Sequence, residues 1–421
     1  MKQNSSFILK EIAGVPYLLP YGQMIANHKR GLKTNSTGVY LWNLLEEELS
    51  LEEILSKSAA YYEISDEELP EFNEEITKFV EQLKNYGIVV EKDKPTSDYV
   101  FTMLESSRKE TAKKDKDTIN TKTSNIGSAI ESADTCQKQL LIGGILLTYT
   151  GAAEAFPPEF NDFVVERTDA TQIKDSQSVV LHSELPGTAP SGQILLQNVE
   201  LNIIEQEDTY LLHFPRAKQH LEIHLSKDGH TTHCYSLPAY GADFHYDFFH
   251  ALRLVYLYLA QKHGMVALHS ASILYKDKLW LFSGHSGMGK STHTNLWKEH
   301  FGTPVINGDL NLLAMENDLP VAHGIPWCGT SGIYDTKTYP LGGIILVNRG
   351  TSDYTEEITT DQQQLLVSQR LISPSWTKEL WEKNLEVVEQ VTENILVCKL
   401  FCTKEKSAAE AMKKRVDSFS L

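Results

Sequence analysis

The chain is 421 residues long and 41% hydrophobic, so two or three domains with well-filled cores are expected. A formal net charge of −17, with no basic stripe to offset it, argues against a nucleic-acid partner. Five dispersed cysteines, Cys136, Cys234, Cys328, Cys398 and Cys402, match neither a zinc ribbon nor a disulfide framework and suit a reducing cytosol. Residues 1–7 lack the apolar centre of a signal peptide, and the longest apolar run, residues 140–147, is far short of a membrane span. A cytoplasmic protein with no membrane partner is therefore expected.

Residues 7–12 and 15–19 are predicted strands with Gly14 in the turn between them. Ser50-Leu-Glu-Glu53 and Ser65-Asp-Glu-Glu68 both read as capping boxes, which places helix starts at those serines. Leu51, Ile54, Leu55 and Ala59 then share one helix face, and Phe72, Ile76, Phe79, Val80 and Leu83 share another. Gly87 stops the last helix before the apolar strand Ile88-Val89-Val90. Residues 1–95 thus form a small winged-helix-like domain. A helical adaptor or a DNA-binding winged helix shares that outline, but Glu46, Glu47, Glu48, Glu52 and Glu53 make its surface acidic and disfavour DNA.

Leu32-Lys-Thr-Asn-Ser-Thr-Gly38-Val-Tyr-Leu-Trp42, then Leu51-Glu-Glu-Ile54 and Leu83-Lys-Asn-Tyr-Gly87-Ile-Val, resembles the PqqD family of peptide-recognition domains. The resemblance covers nearly all of this module. It implies capture of the leader of a ribosomally made precursor peptide as an added strand, and a co-encoded peptide-modifying enzyme as a further partner. Downstream, residues 105–132 carry mixed charge and almost no large apolar side chains. They read as a flexible tether, or as a solvated helix face in view of their Lys and Glu content, and residues 96–135 are expected to link two modules.

The rear module, residues 136–421, divides into a β-rich front part (136–240), a nucleotide-binding core (241–350) and a helical and strand part (351–421). Residues 140–147, 193–196, 202–204, 210–213 and 220–224 cluster as strands, with Ser191-Gly192 and Asp228-Gly229 as turn signals. Residues 243–263 form a helix that is apolar on most sides and so buried, ended by Gly264. A hairpin follows, residues 265–275 against 279–282 through Lys276-Asp277.

That hairpin runs into Gly284-His-Ser-Gly-Met-Gly289-Lys290-Ser291-Thr292, a match to G-x-x-x-x-G-K-[ST] placed after a strand and before a helix over residues 291–300. Glycines let the backbone turn so that successive N–H groups face phosphate oxygens, and the helix adds the positive end of its dipole. The expected phosphate-binding set is Gly284, Ser286, Gly287, Gly289, Lys290, Ser291 and Thr292, with Lys290 on the β- and γ-phosphates, Ser291 on Mg²⁺, and ATP as the ligand. A plain glycine-rich turn would spell the same letters. Farther on, the apolar strand Val305-Ile306-Asn307 leads through Gly308 to Asp309, where phosphoryl transfer needs a carboxylate to hold Mg²⁺ or accept the hydroxyl proton. Asn-Gly-Asp is also an ordinary turn. Gly324-Ile-Pro-Trp327-Cys-Gly-Thr330-Ser-Gly332 reads equally as a lid, with Trp327 as an apolar wall, or as a rigid turn. Arg349 and Arg370 are candidate charge stabilisers.

Residues 252–347, and more weakly the segment Leu396-Val-Cys-Lys-Leu-Phe-Cys402 and the helix after it, resemble the HPr kinase and phosphorylase family, whose phosphate loop is shared in style with phosphoenolpyruvate carboxykinases. The resemblance implies a functional role for His269, 15 positions before Gly284, where a strand histidine is otherwise a satisfied core residue. It also implies two adjacent aspartates at 308 and 309, of which this chain has only the second. The expected fold is therefore an α/β and α+β multidomain chain with a small winged-helix-like front domain and a β-rich P-loop kinase-like rear domain. The expected catalytic set is His269, Lys290 and Asp309, with Ser291 and Asp309 on the metal. Two functions compete: an ATP-dependent serine/threonine kinase of a captured precursor peptide, and a nucleotide-binding chaperone that presents the peptide to a partner enzyme without phosphoryl transfer. A metabolic HPr-serine kinase is weaker, because it has no use for a peptide-binding front domain.

Overall fold

The computed structural model describes residues 1–91, 99–123, 134–166, 169–285 and 287–419. They gather into two units, Met1–Ser97 with Trp376–Lys378, and Asp98–Ser375 with Glu379–Leu421. In the front unit β1 (Lys2–Gln3) pairs with β5 (Val89–Val90), and β2 (Phe7–Ile12), β3 (Val15–Pro20) and β4 (Leu32–Lys33) form a three-stranded sheet. Ala13 and Gly14, at φ 47° and 77°, make the hairpin turn the sequence requires. Helices α1 (Gln23–Ala26), α2 (Ser36–Leu44), α3 (Leu51–Tyr61) and α4 (Leu69–Tyr86) complete the unit. Its core joins Phe7 and Leu18 of the sheet to Leu41, Ile54, Ile76, Val80 and Leu83 of the helices.

Ser50 and Glu53 form the reciprocal capping box at the start of α3. The second box does not start its helix at Ser65. Ser65 Oγ donates to Glu68 Oε2 at 2.7 Å in a turn, and α4 begins at Leu69 with Pro70 in its first turn. Gly87, in the left-handed conformation at φ 88°, ends α4.

Where the structure describes it, the expected flexible linker is helical, the other of the two readings of this stretch: residues 99–123 form α5 (Tyr99–Thr123). Val100 and Leu104 are fully buried against Ile204 and Leu211, and Arg108 forks onto the buried carboxylate of Glu222. Residues 96–98 and 124–133 of the expected linker, and residues 92–95 before it, lie outside the described residues. An eight-stranded sheet follows, built from β6 (Thr135–Ile142), β7 (Ile145–Ala152), β8 (Asp175–His182), β9 (Gln193–Gln197), β10 (Asn202–Glu205), β11 (Thr209–His213), β12 (Glu222–Ser226) and β13 (Thr231–Tyr235) in the order 6-7-8-13-12-11-10-9. The run 140–147 is two strands, not one, because Gly143 and Gly144, at φ 56° and 87°, turn the chain back on itself.

Helix α6 (Ala242–Lys262) leads to β14 (Val266–Tyr275), which turns through Lys276 and Asp277, both at positive φ, into β15 (Lys278–Ser283). Then come α7 (Lys290–Phe301), β16 (Val305–Asn307), β17 (Leu310–Glu316), β18 (Leu319–His323), β19 (Thr338–Arg349) and β20 (Tyr354–Glu357). Helices α8 (Thr360–Ser368) and α9 (Lys378–Thr392), strand β21 (Leu396–Cys402) and helix α10 (Lys406–Ser418) end the chain. Two long strands bend between layers. The first half of β14 pairs with β17 and the second with β15, while β19 pairs first with β18 and then, in parallel, with β15 and β21. Because β16 and β15 are both antiparallel to β14, they run the same way, and their carboxyl ends share one edge with that of β19. That edge of a parallel sheet is where ligands bind in open α/β folds. Among the described residues no helix is long and apolar enough to cross a membrane.

Candidate functional site

At this edge β15 hands over to the phosphate-loop sequence and α7 leaves it. Gly287 and Gly289 sit at φ 76° and 103°, conformations that side-chain-bearing residues rarely adopt. Gly284 lies beneath the Val347 carbonyl, 3.1 Å from where a Cβ would be. Lys290, only 9% exposed, folds its ammonium back onto the Gly284 carbonyl at 3.2 Å. Burial pushes its pKa down, against the pull of the Asp309 carboxylate. Arg349, at the end of β19, donates to the Gly287 carbonyl at 2.7 Å and so braces the loop from the neighbouring strand. Of the expected phosphate-binding residues, Gly287, Gly289, Lys290, Ser291 and Thr292 line one cavity of about 590 Å³, while Ser286 lies outside the described residues.

His269 and Asp309 line the same cavity. Sheet register brings them there: Ser270 pairs with Ser283, the last residue of β15, and Ser272 pairs with Asn307, the last residue of β16. Asn307 Oδ1 accepts from the backbone N–H groups of Asp309 and Leu310, at 2.9 and 3.0 Å, so the turn holding Asp309 is fixed from within. His269 Nε2 stands 3.1 Å from Asp309 Oδ1, and because an ionised carboxylate only accepts, the imidazole donates. That hydrogen bond, opposed by burial and aided by the charges of His269, Lys290 and Arg253, holds the Asp309 carboxyl below the usual carboxylate range.

The loop at 324–332 is a rigid turn. Trp327, 1% exposed, donates its indole N–H to the Phe249 carbonyl at 2.9 Å and packs among Phe160, Phe249 and Tyr256, so it walls the core rather than a substrate. Its far end shapes the site. Gly329, at φ 61°, lies so close to Asp309 that a Cβ would sit 2.8 Å from the aspartate Cβ. Ser331 does the same to Gly308: a Cβ there would fall 2.0 Å from Ser331 Oγ. Ser331 is itself held, donating to the Cys328 carbonyl at 2.7 Å and accepting from Ile333 N–H at 3.1 Å. The aspartate implied at 308 therefore has no room in this loop conformation. Arg370 donates to the Leu366 carbonyl at the end of α8 and does not line the cavity.

Sequence reasoning missed Arg253 on α6, whose charge acts on Asp309. The available signal was a lone arginine inside a helix otherwise apolar on most sides.

Residues 23–89 match the family model described as Coenzyme PQQ synthesis protein D (PqqD), and the front unit is a PqqD domain. Among solved structures, the chain has a neighbour in the Hpr(Ser) kinase/phosphatase from Coxiella burnetii, 11% identical, with 36% of this chain and 99% of that chain covered at a TM-score of 0.20. A superposition at that level carries no argument, and the rear unit stands on its own topology. No curated protein matches the chain.

Proposed function

We propose that the protein is an ATP-dependent kinase that phosphorylates a Ser or Thr hydroxyl on a ribosomally made precursor peptide, whose leader docks on the PqqD domain. The observation that carries this reading is the convergence of Lys290, Ser291, His269 and Asp309 on one cavity at the mouth of the phosphate loop. Lys290 would leave the Gly284 carbonyl for the β- and γ-phosphates. Ser291 and Asp309 offer one hydroxyl and one carboxylate, a donor set that Mg²⁺ accepts alongside phosphates and water. Bound there, the ion would neutralise charge on the phosphates. The acceptor hydroxyl oxygen attacks the γ-phosphorus while the bond to the β–γ bridging oxygen breaks, its electron pair leaving with ADP. The hydroxyl proton passes to Asp309 Oδ2, and His269 keeps the carboxylate aimed through Oδ1.

One observation favours the chaperone reading instead: Gly308, pressed against Ser331, leaves a single aspartate for metal binding and proton transfer. Incubation of the co-encoded precursor with Mg-ATP and mass spectrometry separates the two. One added phosphate on a Ser or Thr is expected. Removal of the leader should raise KM at least about tenfold and change kcat by less than about threefold, since remote binding is lost and the chemical site is untouched. No phosphate on any co-encoded peptide, with Mg-ATP bound normally, would leave the chaperone.

Nucleotide binding should hang on Lys290. Its loss removes charge-assisted hydrogen bonds to phosphate, so Lys290→Ala should weaken Mg-ATP binding in calorimetry by roughly 10- to 100-fold. Unchanged affinity would mean that the loop does not hold phosphates.

A further inference from the structure

Two cavities meet at Asp309. Besides the phosphate-loop cavity, a second one of about 610 Å³ lies against α6, and Asp309 and Thr330 line both. Phe214, Leu254, Leu257 and Ile372 make much of the second wall apolar. Its polar groups are mostly accounted for. Glu200 and Arg216 pair with each other, both largely exposed, and Asp247 accepts from the Lys218 N–H at 3.1 Å. Burial pushes the His250 pKa down to about 4, so that ring is neutral near pH 7, with its Nδ1 buried and without a partner among the described residues.

Arg253 is the charged group that remains. Its side chain is half-buried, and among the described residues its guanidinium makes no hydrogen bond to a protein group. The carboxylate that balances it is Asp309, whose charge is already drawn on by His269 and Lys290. A half-buried cation without hydrogen bonds to the protein is left to water, and a ligand that enters the cavity and displaces that water must supply the acceptor. The planar fork of a guanidinium matches a carboxylate in particular, through two parallel hydrogen bonds.

We propose that this second cavity is the acceptor chamber, and that Arg253 there selects a peptide segment bearing a carboxylate beside the acceptor hydroxyl. The inference rests on the phosphotransfer reading above. A donor in the phosphate-loop cavity and a hydroxyl in the α6 cavity meet at Asp309, the residue assigned to receive the proton. The apolar wall holds the body of the acceptor residue and its neighbour, and Arg253 fixes their register by the charge beside the hydroxyl.

The test uses the full chain and three leader-bearing peptides identical except near the acceptor Ser. One has Glu next to it and an amidated end, one has Gln and an amidated end, and one has Gln with a free terminal carboxylate beside the Ser. The wild type should favour a carboxylate peptide over the amidated Gln peptide at least tenfold in kcat/KM, chiefly through KM. The Glu and free-end arms tell which source supplies the group. Arg253→Gln should abolish the preference, read as the ratio of kcat/KM between carboxylate and amidated Gln peptides, so that any loss common to all peptides through the effect of Arg253 on Asp309 cancels. Arg253→Lys, which keeps the charge and loses the fork, should retain part of it and serves as the comparison if Arg253→Gln loses nucleotide affinity. Equal rates on all three peptides with the wild type, or an equal loss on all three in both variants, would overturn the proposal. If no peptide is phosphorylated, the phosphotransfer reading has failed separately. Fluorescence anisotropy of the same peptides, labelled and mixed with protein loaded with a non-hydrolysable ATP analogue, then decides the chamber: a carboxylate preference lost in Arg253→Gln supports it, and its absence overturns it.

Discussion

Asp309→Asn should cut kcat for precursor phosphorylation by roughly 10³-fold while Mg-ATP affinity changes by only a few-fold. The substitution keeps the volume, and the amide oxygen still accepts from His269 Nε2, so the turn built on Asn307 stays in place. What disappears is a negative charge at the junction of the two cavities and, in the proposed reaction, the oxygen that receives the hydroxyl proton. Lys290 and the loop amides, which would hold phosphate in that reaction, are untouched. The pH profile carries a second signature. Because the hydrogen bond from His269 and the nearby cations outweigh burial, Asp309 ionises below the usual carboxylate range, and its acid limb should lie below that of an ordinary carboxylate. His269→Gln weakens that support, so it should cost kcat far less than Asp309→Asn, and the acid limb should move upward. Retained turnover in Asp309→Asn would remove the residue from the chemistry. An unmoved acid limb in His269→Gln would reduce the histidine to packing.

The legible parts of this molecule are those whose signals are local. The phosphate loop, its hairpin and α7 follow from a contiguous glycine pattern between an apolar strand and a helix, and the α3 capping box closes within four residues. What stayed hidden depends on partners distant in sequence. Strand β8 places Gln177 in a fully buried position, where it donates to the carbonyls of Gly229 and Val255, and β13 buries Thr232 and Cys234. Polar residues at buried positions blur the alternation that marks a strand. The conflict between Gly308 and Ser331 and the electrostatic link from Arg253 to Asp309 likewise join segments that no local pattern connects. Helix α5 is hard to tell from a tether for the same reason: the buried apolar residues described in it are Val100 and Leu104, near its start, and the rest of its described docking is polar, through a partner 114 residues away.

That docking makes Arg108→Ala a strongly destabilising change in the rear unit. Glu222 is 0% exposed, and Arg108 meets it with two hydrogen bonds, Nε to Oε2 at 2.9 Å and Nη2 to Oε1 at 2.6 Å, while Nη1 donates to the Thr188 carbonyl at 2.6 Å. His224 Nε2 approaches Oε1 at 2.7 Å, and His220 Nε2 stands 3.3 Å from Oε2. Burial alone would raise the Glu222 pKa, but hydrogen bonds from His224 and Arg108, with the close His220 ring, overcome it and hold the carboxyl far below its ordinary range. Removing one partner strands a buried charge, at a cost of about 3–5 kcal/mol. The sign with pH follows from linkage. A carboxyl whose pKa is depressed on folding adds stability above its unfolded value, about 4.3, and loses it as pH falls through the folded value. In Arg108→Ala the folded pKa rises while the unfolded value is common to both proteins, so the stability gap should be full above the variant's folded pKa and narrow as pH falls through it toward the wild-type value. Urea denaturation of both proteins across this range reads it. Glu222→Gln in the Arg108→Ala background should restore part of the loss at pH 7, because it removes the charge that was left unpaired. A gap that does not change with pH would show that Arg108 stabilises through packing of its stem and its bond to Thr188, not through Glu222.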